Sequence, residues 1–206
     1  MHKCHEKGKR VIVATHLLES MTENPIPTRA EVIDVANAIY SEVDALMLSG
    51  ETAIGKYPIR CIEHIDRIAK ASEKLPGIHF SREVIINNDK QNVALSGVRL
   101  AESIEAKGIV VITRRGIMAQ FLTNCRPFKT YIYAFTNDNR TRRQLFINRG
   151  VVAHRIEFSR DPEKTIQKAF NSLKKHEGIK TGDRVVVISD ILAGSGIDAI
   201  QIRSLD

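Results

Sequence analysis

The stretch Asp44-Ala45-Leu46-Met47-Leu48-Ser49-Gly50-Glu51-Thr52-Ala53, with Gly55, Tyr57 and Pro58 close behind, constrains this chain more than any other. A short apolar run stops abruptly at Ser49–Thr52 and a helical pattern follows. That is the order of a buried parallel strand, an exposed loop and a crossover helix. The same order occurs once upstream, where Val11–Ala14 ends at Thr15 and the run Pro25–Glu31 opens a helix. Two consecutive strand–loop–helix units predict an α/β fold, either a barrel or a doubly wound sheet. Thr15 and Ser49 then stand at the C-terminal ends of their strands, the end at which barrels carry chemistry. Thr15 reads equally well as a cap for the short helix that runs through Met21.

The rest of the chain supports a second unit. Thr28-Arg29-Ala30-Glu31 fits a capping box, and Val32, Val35, Ala36 and Ile39 follow as a helical apolar stripe. Ile59, Ile62, Ile65 and Ile68 recur on the next helix and are read as core. Leu75-Pro76-Gly77 ends that helix and Ser81–Asn88 reads as linker, which puts the boundary near residue 80, with domains over 1–78 and 79–206. Beyond it, a helix over about 90–107 turns Ala94, Val98, Ala101 and Ile104 inward. Strands are expected at 109–113, 131–136, 151–156, 184–189 and 200–205, and helices at 117–125, 139–148 and 162–176. Asp161-Pro162 marks the last helix start, ahead of a buried stripe of Ile166, Ala169, Phe170 and Leu173. The expected unit is a five-stranded, mostly parallel sheet with helices on both faces and an antiparallel final strand.

Composition excludes several classes. Apolar content of 43% and charged content of 27% are those of a globular chain with a sizeable core. No apolar run has the length of a membrane span, so no membrane partner is expected and the cytoplasm is the default compartment. Three scattered cysteines make no disulfide framework, and His2, Cys4 and His5 match no zinc spacing, so no metal site is assigned. The seven histidines suggest no catalytic triad. The net charge of +7 sits in the second half: residues 1–108 hold 14 Lys/Arg against 15 Asp/Glu, and residues 109–206 hold 17 against 9. That surplus fits a solvated basic face or a site for a small anion. Nucleic acid is not expected, because no basic run carries interleaved aromatics.

Four blocks carry a resemblance. Ala14-Thr15-His16-Leu17-Leu18-Glu19-Ser20-Met21, Pro27-Thr28-Arg29-Ala30-Glu31, Asp34-Val35-Ala36-Asn37-Ala38 and Met47-Leu48-Ser49-Gly50-Glu51-Thr52-Ala53 stand in the order and spacing of pyruvate kinase. The chain resembles the C-terminal part of that family, namely the last two units of a (β/α)8 barrel followed by the small C-terminal domain. The resemblance implies phosphoryl transfer from phosphoenolpyruvate to ADP, giving pyruvate and ATP in glycolysis, with Mg²⁺ and K⁺ as cofactors and a homotetramer as the assembly. It also implies that the metal ligands and phosphoryl-binding groups belong to earlier barrel strands, so that this chain alone is expected to be inactive. Glu19, Glu31 and Glu51 are then read as caps and loop braces.

Two family roles carry over. Thr15 matches the threonine that donates to the substrate carboxylate, and Ser49 matches the serine implicated in proton delivery to the enolate. The effector loop of the family's C-terminal domain corresponds to Thr113-Arg114-Arg115-Gly116. Here Ile117 and Met118 replace the usual hydroxyl-bearing residues, and Gly194-Ser195-Gly196 is followed by Ile197-Asp198-Ala199 where hydroxyl or amide side chains are common. The alternative expectation is a non-catalytic, truncated module that binds an anionic effector or another subunit.

Overall fold

The structure is a computed structural model that describes residues 1–14, 16–78, 84–189 and 199–205. The chain divides into two compact units, Met1–Glu83 and Val84–Asp206. Thr15, His79, the first residues of the expected linker (81–83) and the 194–198 loop lie outside the described residues.

In the first unit, α1 (His2–Glu6) leads to β1 (Ile12–Val13), a turn of 3-10 helix (Glu19–Thr22), α2 (Arg29–Tyr40), β2 (Ala45–Leu46), α3 (Gly50–Ala53) and α4 (Pro58–Ser72). β1 and β2 pair in parallel, Ile12 with Ala45 and Val13 with Leu46. The strands are shorter than the apolar runs suggest, because only two residues of each run pair. Below the pair, the Asp44 carboxylate accepts the Val11 amide at 2.9 Å and lies 3.4 Å from Arg10. Leu17, Leu18, Met21, Val35, Ile39 and Cys61 form the core.

α2 starts as its sequence dictates. Thr28 takes the Glu31 amide, and the Glu31 carboxylate reaches back to the Thr28 amide at 2.7 Å. α4 departs from expectation. Ile65 and Ile68 pack on the core, but Ile59 is 66% exposed and Ile62 is 54% exposed, while Cys61 is fully buried. A three-residue repeat drifts by about 60° per step around a helix of 3.6 residues per turn, so the first and fourth members face opposite ways. The inward face therefore passes through Cys61, Ile65 and Ile68. On α2, likewise, Ala38 is buried and Val32 only half-buried.

In the second unit, α5 (Asp89–Ser103) precedes β3 (Ile109–Ile112), α6 (Ile117–Asn124), β4 (Ile132–Thr136), α7 (Asn139–Leu145), β5 (Val151–Arg155), α8 (Pro162–His176), β6 (Arg184–Ser189) and β7 (Ala199–Ser204). The sheet order is β5-β4-β3-β6-β7, parallel throughout except for the antiparallel β6–β7 pair. Period-two alternation divides the core. Ile109 and Val111 turn to the layer that holds α5, α6 and Leu145, while Val110 and Ile112 turn to Ile166, Ala169, Phe170 and Leu173 of α8. The chain leaves β3 towards β4 on one side and returns as β6 on the other. This is the reversal of strand order at which open α/β sheets bind ligands.

Candidate functional site

β1 and β2 are parallel, so the loops after them rise at the same end of the pair. Ser49 is exposed there, and its hydroxyl does not cap the helix it precedes. Glu51 is the residue that organises this rim. Its side chain turns inward, 4% exposed, and Oε1 accepts the Leu18 amide at 3.1 Å while Oε2 accepts the Ser49 amide at 2.8 Å. Burial by itself would raise the Glu51 carboxyl. The backbone amides of Glu51, Ser49 and Leu18, with the charge of His16, outweigh it and hold the group below the ordinary carboxylate range. Gly55 closes the loop from behind: a Cβ there would stand 2.4 Å from the Glu51 carbonyl oxygen, so only glycine fits.

The neighbouring acids are spent in the same way. Glu31 accepts from Ser20 N at 2.7 Å, Ser20 Oγ at 2.5 Å and the Thr28 hydroxyl at 2.8 Å. Burial pushes its carboxyl up, and the bonds from Ser20 and Thr28 carry it below its usual value. Glu19 lies 2.9 Å from His16 Nδ1 on the exposed side. His16 itself holds a left-handed backbone with φ of 45°, a strained position for a side-chain-bearing residue next to a strand end. These carboxylates cap and brace, as the sequence suggests, and among the described residues no three His, Cys, Asp or Glu side chains cluster as a metal would need. Engaged in this way, Glu19, Glu31 and Glu51 do not present a free donor set for Mg²⁺.

The second place of interest is the loop after β3. Thr113 is buried and its hydroxyl accepts the Gly116 amide at 3.0 Å, while the Arg114 carbonyl accepts the Thr141 hydroxyl at 3.2 Å. Gly116 caps α6 with φ of 77°, and Arg114 and Arg115 stay exposed. The loop thus exposes Arg114 and Arg115 beside the start of α6, where the first amides of a helix lack intrahelical partners. Thr113 contributes by bracing the loop, because its acceptor is turned inward to Gly116.

One grouping has no counterpart in the sequence reading. His154 stacks on Phe135 at 5.2 Å and on His176 at 6.0 Å. Its Nε2 lies 2.9 Å from Glu177 Oε1. Burial pushes the imidazole below its ordinary value, with His176 and Arg142 adding to this against the pull of Glu177. The sequence separates these partners, so only the fold brings them together.

Comparison with known proteins agrees with this architecture. The family description "Pyruvate kinase, barrel domain" matches residues 1–62, and "Pyruvate kinase, alpha/beta domain" matches residues 91–202. The chain belongs to the pyruvate kinase family.

Among curated relatives, "Pyruvate kinase isozyme A, chloroplastic" from Nicotiana tabacum is 37% identical over 92% of this chain and 33% of its own length. "Pyruvate kinase" from Clostridium perfringens is 36% identical over 90% of this chain and 40% of its own. A crystal structure of a pyruvate kinase from Cryptosporidium parvum superposes with a TM-score of 0.90 at 31% identity, covering 99% of this chain and 41% of that one. The chain therefore spans well under half the length of these pyruvate kinases. Of the two residues expected from the sequence to be catalytic, Ser49 stands on the braced rim and Thr15 lies outside the described residues. Among the described residues no helix is long and apolar enough to cross a membrane.

Proposed function

We propose that residues 1–206 serve as the C-terminal part of a pyruvate kinase, the phosphotransferase that moves a phosphoryl group from phosphoenolpyruvate to ADP. The observation that carries this reading is the rim, where two parallel β/α units place Ser49 and the loop after β1 at one end and Glu51 ties them together. In this reading Thr15 donates its hydroxyl to the substrate carboxylate and Ser49 takes part in proton delivery to the enolate. Such a transfer depends on positioning and on neutralising charge. Mg²⁺ and K⁺ would be held outside this chain, since Glu19, Glu31 and Glu51 are engaged by amides, hydroxyls and an imidazole. The working assembly is a homo-oligomer in the cytoplasm.

The same reading makes Thr113–Gly116 an anion loop of the C-terminal unit, with Arg114 and Arg115 as the charged groups and Thr113 and Gly116 as its frame. A non-catalytic role as an effector-binding or subunit-docking module draws its support from this loop and from the positive surplus around it.

The test is a coupled assay of the 206-residue chain with phosphoenolpyruvate, ADP, Mg²⁺ and K⁺. The expected result is no turnover. A rate above about 1 s⁻¹, the low end for ordinary enzymes, would overturn the assignment of metal and phosphoryl binding to groups outside residues 1–206.

A further inference from the structure

We propose that Glu51 is a positioning residue: its ionised carboxylate clamps the loop after β1 to the loop after β2 and so sets the width of the rim. That the rim faces a phosphoenolpyruvate-type substrate rests on the reading above, whereas the clamp rests on geometry alone. Two bonds define it. Leu18 N to Oε1 at 3.1 Å and Ser49 N to Oε2 at 2.8 Å come from opposite loops, and each oxygen of one carboxylate serves one loop. Glu51 is buried, and its bond to Leu18 is buried with it. Its backbone is held as well, because the Cys61 Sγ lies 3.8 Å from the Glu51 carbonyl oxygen, which a Cβ at position 55 would strike.

The chemistry admits few substitutes. Both partners are donors, so the clamp needs two acceptors on one planar group, and an ionised carboxylate supplies them without presenting a donor of its own. Glutamine has one acceptor, and its NH₂ would face the second amide donor to donor. Protonation has the same consequence, since one oxygen then carries a hydrogen towards a backbone N–H. The ionisable neighbours are His16 with its partner Glu19 on one side, and Cys61, with Glu31 acting on it, on the other. Lys56 joins the same two segments at the surface, its amide donating to the Thr22 carbonyl and its ammonium pairing with Glu23, whereas Glu51 is buried and takes one amide from each loop.

The experiment is a solution NMR titration of the 206-residue chain from pH 7 to 3, following the Leu18 and Ser49 amides and the Glu51 side-chain carboxyl carbon. All three are expected to move with one common midpoint, below that of an ordinary glutamate. In Glu51→Gln neither amide titrates with that midpoint, and exchange at both amides rises at least tenfold. The Val186 and Ile188 amides of the other unit serve as the unaffected control. Separate midpoints for Leu18 and Ser49 in the wild type, or amides indifferent to the Glu51 carboxyl, would overturn the clamp whether or not the glutamine variant folds. A joint titration alongside turnover of residues 1–206 would leave the clamp standing and remove the reading of the function.

Discussion

Gly116 and Gly150 make a matched pair in which one extra methyl group reports on the loop after β3. Both hold left-handed backbones, with φ of 77° and 70°. Alanine at either position carries the left-handed penalty of about 1–2 kcal/mol, offset in part by the reduced freedom of the unfolded chain. The surroundings differ. At Gly150 an added Cβ meets nothing within 4 Å, whereas at Gly116 it stands 3.1 Å from Leu145 Cδ2 and 3.3 Å from Thr141 Cγ2. Leu145 is 1% exposed and packed in the core, and the Thr141 hydroxyl holds the Arg114 carbonyl, so neither gives way freely. Overpacking of this kind costs about 1–3 kcal/mol. Gly116→Ala is therefore expected to destabilise the second unit by roughly 1–3 kcal/mol more than Gly150→Ala does. With two units in the chain, a single unfolding midpoint is not a clean measure. Hydrogen exchange at the Val186 and Ile188 amides, in the centre of β6, reads the second unit alone. Equal effects at the two positions would refute the crowding around Gly116, and with it the frame assigned to the anion loop.

The remaining predictions concern charge. Calorimetry on the chain at low salt is expected to show inorganic phosphate binding that weakens in Arg115→Ala, and no tight binding of fructose 1,6-bisphosphate; low-micromolar bisphosphate affinity lost in Thr113→Ala would contradict this. His154, whose folded value lies below its ordinary one, contributes stability that is full above about pH 6.5 and is lost as pH falls towards the folded value. The stability of the second unit, read by hydrogen exchange at Val186 and Ile188, should therefore drop between pH 7 and 5, with a slope of at most about 1.4 kcal/mol per pH unit from this residue, and the slope should flatten in His154→Phe; an unchanged slope would show that the burial of His154 is not its source.

The middle of the second unit's sheet was legible because β3, β4 and β6 are buried on both faces. Ile109–Ile112 and Val185–Ile188 are continuous apolar runs, and a strand covered on two sides has no polar alternation to blur its ends. Helix starts were legible where capping chemistry is local: Thr28 with Glu31, and Asp161 accepting the Glu163 amide ahead of Pro162. The α4 isoleucines misled for a geometric reason. Their three-residue spacing resembles the helical period at each step and departs from it over three steps, which carries Ile59 to the side opposite Ile68. The rim was legible in its residue types, since Ser49 and Glu51 sit together in the sequence, and the clamp was not, because the Leu18 partner is 33 residues away.

This difference follows from what each kind of interaction costs to form. Caps and strand runs close over three or four residues, so their partners must be written next to each other, and a reader of the sequence meets both at once. Glu51 and His154 act across loops. A buried carboxylate leaves water only if several donors converge on it, and here two of them arrive from a loop that the sequence places far upstream or from the turn beside it. His154 is held by a stack and a carboxylate from separate elements, β4 and the end of α8. In both cases the residue alone has an unremarkable context, and its environment is created by the fold. The acids that invite a metal reading in the sequence, Glu19, Glu31 and Glu51, are the ones the fold engages with an imidazole, hydroxyls and amides.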